Sequence, residues 1–297
     1  MSSAAPSVPR RRPVTRRVPR ARLRTVWKEA RRDPVKVVIF LLLLVVSAGM
    51  LYPFFFMIVN SLRSENQYLN GAGFSTVSWS QLFANLPVGR ELLNSTLVCV
   101  AAIAIILALS SAAGYAFAKL RFRRQGLLFF AVIGSMMVPL QSIIIPVYVN
   151  FAHLHLINTY LGAIVVYAGF GTPFATFLMT TFFRGLPEEI TEAAACDGLG
   201  HAGSFWRVAL PMAKPALATV AVLQFIQIWD DLLVGLLFLQ EPTNRTITVG
   251  LGVLSSGRVV SVPVLMAGSL VSALPAVLVY LFFQRYLVAG LTLGVNR

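Results

Sequence analysis

Two adjacent carboxylates are the residues in this sequence best placed to do chemistry. Asp230 and Asp231 lie in an otherwise apolar stretch, preceded by Gln224, Gln227 and Trp229. A charged side chain at the centre of a membrane costs roughly 2.5–3.5 kcal/mol on insertion scales, so two in succession are not expected to face lipid. Carboxylates accept hydrogen bonds from a polar solute and an indole offers a stacking face, which makes these five residues candidates for a translocation path. The alternatives are a polar contact with a second membrane subunit, or water at the outer mouth. Asn60 and Gln141 join the candidate path, although such residues more often hydrogen-bond between helices. His153 and His155 form an HxH pair, but two ligands without a nearby Cys, Asp or Glu make a poor metal site, and no metal is expected. The two cysteines, Cys99 in an apolar run and Cys196 in a polar one, suggest no disulfide. The sequence contains no Ser-His-Asp set, cysteine cluster or GxxxxGKS/T phosphate loop. Catalysis by this chain is therefore not expected, and ATP-driven work would need another chain to bind the nucleotide.

These residues sit among long apolar runs. At 297 residues, 57% hydrophobic and 12% charged, the chain is not an ordinary soluble domain. The runs predict an all-α integral membrane protein with six helical spans, near 37–59, 92–118, 127–149, 161–183, 216–239 and 262–283. Helices are required because lipid supplies no hydrogen-bond partner, so each segment must satisfy its own backbone. Pro53, Pro139, Pro146 and Pro173 interrupt these runs. Ala112, Ala113, Gly114 and Ala116 would let neighbouring helices approach closely. The topology puts 21 of the 25 basic residues on one side and four on the other, which orients both termini toward the cytoplasm. Residues 1–35, rich in Arg, Pro and Ser, are expected to be a disordered basic tail, and 36–297 one transmembrane domain. The net charge of +14 is concentrated in that tail, which suits anionic membrane lipids and orientation better than nucleic acid. The first apolar run is too long for a cleavable signal and is expected to remain as an anchor.

The stretch between the fourth and fifth spans, Pro187 to Pro215, is the longest segment after the tail that is not plainly lipid-compatible. Pro187 followed by Glu188 and Glu189 reads as a helix start, since proline tolerates the first turn and carboxylates suit its positive end. Good helix formers continue to Asp197, where Gly198 and Gly200 end the helix. A second short helix is expected from Ser204 to near Pro211. The pair forms a protrusion suited to docking. An interfacial hairpin resting on headgroups is disfavoured, because Glu188, Glu189, Glu192 and Asp197 would be repelled by an anionic leaflet.

Glu192-Ala193-Ala194, Gly198 and then Val208-Ala209-Leu210-Pro211 resemble the EAA loop of bacterial ABC importer permeases, with Val208 where isoleucine is usual. Trp229-Asp230-Asp231-Leu232 is similar to the Trp-Asn-Glu-Phe pattern of the sugar-importing branch, with both polar residues changed. Tyr52-Pro53-Phe54, Asn60-Ser61-Leu62, Gln284-Arg285-Tyr286 and Gly290-Leu291-Thr292 extend the resemblance over about residues 35–297, to the maltose-type permease of the shorter kind. It implies the type I importer permease fold, with the loop as a coupling helix seated on a cytoplasmic ATPase. Glu188, Glu189, Glu192, Ala193, Ala194, Asp197, Gly198, Val208, Leu210 and Pro211 would then carry coupling. It also implies a homologous permease as heterodimer partner, an ATPase dimer holding the ATP and magnesium, and a solute-binding protein outside a bacterial inner membrane. In some relatives the C-terminal tail reaches the ATPase, which suggests that role for 291–297. A carbohydrate is the expected cargo. Glycerol phosphate, an amino acid, or ion-coupled transport without an ATPase are the alternatives.

Overall fold

The computed structural model describes residues 34–71, 73–257 and 261–292. The expectations for residues 1–33 and for the last five residues lie outside them. Contacts divide the chain into two units, residues 1–56 and 57–297, with the boundary inside the first helix. That helix, α1 (Pro34–Ser61), is 28 residues long, contains Pro53, and begins slightly ahead of the expected span. Its apolar side chains from Val35 to Phe55 are exposed, as a lipid-facing surface requires.

The second unit is built around α4 (Val88–Lys119) and α7 (Tyr160–Arg184), which make the most extensive helix pair. Small residues set their approach. A Cβ on Gly114 would lie 2.7 Å from Met179 Cβ and 2.9 Å from the Thr180 nitrogen, so only glycine lets these backbones come this close. Cys99, Ala102, Ala163 and Ala175 are buried along the same pair. The expected outer connection before α4 is itself folded into α2 (Glu65–Asn70) and α3 (Val77–Asn85). Ser64 and Gln67 close a reciprocal capping box on α2, and Leu82 of α3 is fully buried.

Three expected spans are redrawn. The third is two helices, α5 (Gln125–Ser135) and α6 (Leu140–His153), bent by 94° at a break that ends on Pro139. Pro139 takes an extended backbone conformation as the N-cap of α6, whereas Pro146 is carried inside α6 without a break. The fifth span stops at Trp229, at the end of α10 (Lys214–Trp229), and a separate short α11 (Leu233–Phe238) follows. The sixth, α13 (Val262–Thr292), runs nine residues beyond its expected end at Phe283. Among the described residues, four helices are long and apolar enough to cross a membrane, or six if each of two bent pairs is one span.

The expected outer loop over 240–261 is also folded. It contains α12 (Ile247–Ser256), with Ile247, Val249 and Gly250 buried. The Asn94 amide nitrogen donates to the Thr243 and Arg245 carbonyls at 3.0 and 2.9 Å, and the Ile247 N–H donates to Ser95 Oγ at 2.9 Å. Tyr160 Oη donates to Asn94 Oδ1 at 2.7 Å, so α4 and α7 together hold this segment.

Candidate functional site

The elbow between α7 and α10 consists of α8 (Glu188–Cys196) and α9 (His201–Met212). Pro187 is the N-cap of α8, and Glu188 and Glu189 occupy its first turn. The corner after α8 is a Schellman turn. The Gly198 N–H donates to the Ala195 carbonyl and the Leu199 N–H to the Ala194 carbonyl, each at 3.0 Å. Gly198 sits at φ +79°, in the left-handed region, whereas Gly200 at φ −70° and ψ 174° is extended. The second helix opens at His201 rather than Ser204, because Gly200 serves as its N-cap. It then widens into a π-turn over Phe205–Ala209, in which the Leu210 N–H reaches back to the Phe205 carbonyl. Pro211 continues it to Met212 instead of ending it, because the π-turn interrupts the regular ladder just before it and Pro211 falls in the first turn of the short segment Leu210–Met212.

Burial divides the expected coupling residues. Glu188, Glu189, Glu192, Ala193, Asp197, Gly198 and Pro211 are exposed, while Ala194 is buried and Val208 and Leu210 are half-buried within the elbow. What seats the elbow was missed in the sequence. The Phe205 ring lies 5.2 Å from that of Tyr115 on α4, which in turn meets Phe183 on α7 edge-on at 5.7 Å. Lys119 Nζ donates to the Leu186 carbonyl at 2.6 Å, tying the end of α4 to the start of the loop. Trp206, next to the anchored Phe205, is 66% exposed.

The candidate path residues do not all meet. Gln224, Gln227 and Asp231 line a cavity of about 320 Å³, together with Tyr167, Phe170 and Gly171 of α7. A second cavity of about 410 Å³ adjoins it, sharing Phe170 and Gln227. Asp231 is not in mid-helix, as the expected fifth span required. It sits in the break between α10 and α11, where its Oδ2 accepts from the Val234 N–H at 2.8 Å and from Tyr167 Oη at 2.9 Å. One carboxylate oxygen thus caps α11 and ties it to α7. Asp230 is exposed at the C-cap of α10.

Trp229 is no stacking face. It is 3% exposed, stacks on Phe225 at 5.2 Å, and its Nε1 donates to the Ser272 carbonyl at 2.9 Å. Asn60 is buried near the end of α1, where its Oδ1 accepts from Arg63 Nη1 at 3.1 Å. Gln141 is exposed on α6 and does not line either cavity, although its neighbour Leu140 lines the smaller one. His153 and His155 are exposed around the end of α6. Tyr167 and Gly171, the cavity's other polar and small contributors, carried no sequence signal beyond lying in an apolar run.

Comparison with known proteins places this architecture. Residues 104–292 match the family model described as binding-protein-dependent transport system inner membrane component. The osmoprotective compounds uptake permease protein GgtD of Synechocystis is 33% identical, over 80% of this chain and 84% of that protein. The diacetylchitobiose uptake system permease protein NgcG of Streptomyces coelicolor is 28% identical, over 86% and 87%. The arabinooligosaccharides transport system permease protein AraQ of Halalkalibacterium halodurans is 33% identical, over 68% and 71%. A chain from the crystal structure of a bacterial ABC transporter involved in import of the acidic polysaccharide alginate superposes with TM-score 0.74 at 22% identity, over 87% of this chain and 97% of that one. The match covers the second half of α4, all of α7, both cavities and the elbow, and by it this chain belongs to the binding-protein-dependent transport system inner membrane components, the permeases of ABC importers.

Proposed function

We propose that this chain is one of two permease subunits of an ATP-driven importer for a carbohydrate, and that the elbow is where a separate ATPase grips it. The observation that carries the reading is the exposed acidic face of α8 on an elbow anchored through Phe205 to the two central helices. A load applied to Glu188, Glu189 and Glu192 passes through the Phe205–Tyr115–Phe183 rings into α4 and α7 rather than into a slack loop. The related permeases of diacetylchitobiose and arabinooligosaccharide systems support a sugar as cargo. A solute-binding protein delivers it from outside, the ATPase dimer holds the ATP and magnesium, and both termini lie in the cytoplasm of a bacterial cell. ATPase closure shifts the permease pair between inward-open and outward-open states because the elbow contacts the two ATPase states differently.

The test is ATP-dependent uptake of labelled oligosaccharides by vesicles carrying the whole transporter, with Glu192→Lys as the perturbation. Uptake and ATPase co-purification should fall together while membrane insertion persists. Full uptake from vesicles containing no ATPase would overturn the reading.

A further inference from the structure

The cavity between α6, α7 and α10 has a one-sided chemistry. Asp231 Oδ2 is taken by Tyr167 and Val234, while its Oδ1 receives no donor among the described residues. Gln224 is 2% exposed yet lines the cavity, and among the described residues its one hydrogen bond is a long one, Nε2 to the Gly171 carbonyl at 3.4 Å, with no donor to its Oε1. An amide oxygen at a cavity wall keeps an open acceptor position, and a ligand hydroxyl can fill it. The Gln227 amide, shared by both cavities, makes no side-chain bond among the described residues. Among the described residues, neither cavity is lined by Lys, Arg or His. The site therefore offers acceptors in excess, one free amide to donate, the aromatic ring of Phe170, and uncompensated negative charge.

We infer that this cavity is a solute subsite for an uncharged, hydroxyl-rich molecule, which excludes anionic solutes, with Asp231 and Gln224 as specificity-determining residues and Tyr167 as the residue that positions Asp231. This deepens the carbohydrate reading and rests on it for the identity of the cargo, but its charge selectivity stands on the cavity alone. At about 320 Å³ with a neighbour of about 410 Å³, the space lies in the range of roughly 300–1,000 Å³ that small-molecule sites occupy. An anion would meet Asp231 with no cation to offset it, and the exposed Asp230 adds a second negative charge at the same break.

The experiment needs no known cargo. Gln227→Cys is placed in a Cys196→Ser background of the assembled transporter in membrane vesicles, since Cys196 is exposed and Cys99 is buried. The thiol is reacted with the trimethylammonium-ethyl and sulfonato-ethyl methanethiosulfonates, each rate being normalised to reaction with free thiol. The cation should react about tenfold or more faster, as a focused negative potential requires. Asp231→Asn keeps an acceptor oxygen for Tyr167 and Val234, so it should preserve the fold while shrinking the ratio. Trehalose at high concentration should slow labelling, and glucuronate should not. Tyr167→Phe should leave the cation-to-anion ratio in place and weaken trehalose protection, an effect that a merely structural tyrosine would not divide in this way. Equal rates for the two reagents, or protection by glucuronate as strong as by trehalose, would overturn the subsite. Absence of ATP-dependent sugar uptake by the Cys196→Ser transporter, whose cavity is unaltered, with these ratios intact in the Gln227→Cys protein would instead count against the carbohydrate-importer reading.

Discussion

Gly198 and Gly200 provide a paired test of the elbow, because they lie two residues apart and differ in one physical respect. Gly198 has φ +79° and Gly200 φ −70°, and a Cβ added at either meets nothing within 4 Å. Steric crowding therefore drops out of the comparison and only backbone conformation remains. An L-residue held in the left-handed region costs about 1–2 kcal/mol. Alanine also narrows the unfolded ensemble, which returns about 0.4–1 kcal/mol where the backbone is compatible. Gly198→Ala should thus disfavour the Schellman corner by about 1 kcal/mol, and a β-branched residue by more. Gly200→Ala should stay within about 0.5 kcal/mol of neutral, since its extended backbone suits any residue and the narrower unfolded ensemble offsets alanine's poorer standing at an N-cap. Asparagine tolerates the left-handed region, so Gly198→Asn should fall between glycine and alanine. One kcal/mol is about a fivefold change in the ratio of cornered to uncornered loop. The assay is ATP-dependent uptake per assembled transporter, read beside the amount of ATPase retained on purification. Uptake ordered Gly, Asn, Ala, Val at position 198 with position 200 near silent supports a rigid corner. Equal losses at the two positions, or asparagine no better than alanine, would refute it.

Gly114→Ala should lower the thermal midpoint of the detergent-solubilised protein by an overpacking cost of about 1–3 kcal/mol, because its Cβ would strike Met179 and the Thr180 backbone. Gly134→Ala, where the same Cβ meets nothing within 4 Å, serves as its control and should not destabilise. Phe205→Ala should cost about 3–5 kcal/mol locally by emptying the ring's seat against Tyr115, and it should uncouple ATP hydrolysis from uptake while the helices remain inserted. Trp206→Ala, one residue on and exposed, should spare the fold, as a thermal scan would register.

Hydrophobic length and turn chemistry were legible in the sequence. Pro187, Glu188 and Glu189 opened α8 and Gly198 turned its corner where expected, because the signals are local and strong. The breaks within spans three and five were harder to read. Proline at 139 was visible, but a 94° bend depends on what α5 and α6 pack against. Asp231 read as a buried charge within a helix, whereas its carboxylate ends that helix's continuity by capping the next one. The sequence does not reveal that a carboxylate will turn to a backbone N–H three residues on until the neighbouring Tyr167 is in place. Trp229 illustrates the same limit in reverse. An indole beside two acids suggested a solute face, yet a partner carbonyl on Ser272, far along the chain, claimed it.

The two walls of the cavity both grow out of the elbow. The helix entering it, α7, carries Tyr167 and Gly171 at the cavity and Phe183 at the aromatic seat. The helix leaving it, α10, carries Gln224 and Gln227 and ends at the break held by Asp231. Sixteen residues separate Tyr167 from Phe183, about 24 Å along a helix at 1.5 Å per residue. At that distance a tilt of α7 relative to α10 is amplified into movement of one cavity wall against the other. The Tyr167–Asp231 hydrogen bond spans those walls, so it is the contact such a tilt must stretch first. Breaking it would leave that oxygen held by the Val234 N–H alone, opening one more acceptor position on a carboxylate that already offers its other oxygen. A stroke at the elbow would therefore alter the cavity's hydrogen-bonding capacity as well as its width, and solute affinity would differ between the two states without any residue entering or leaving the site.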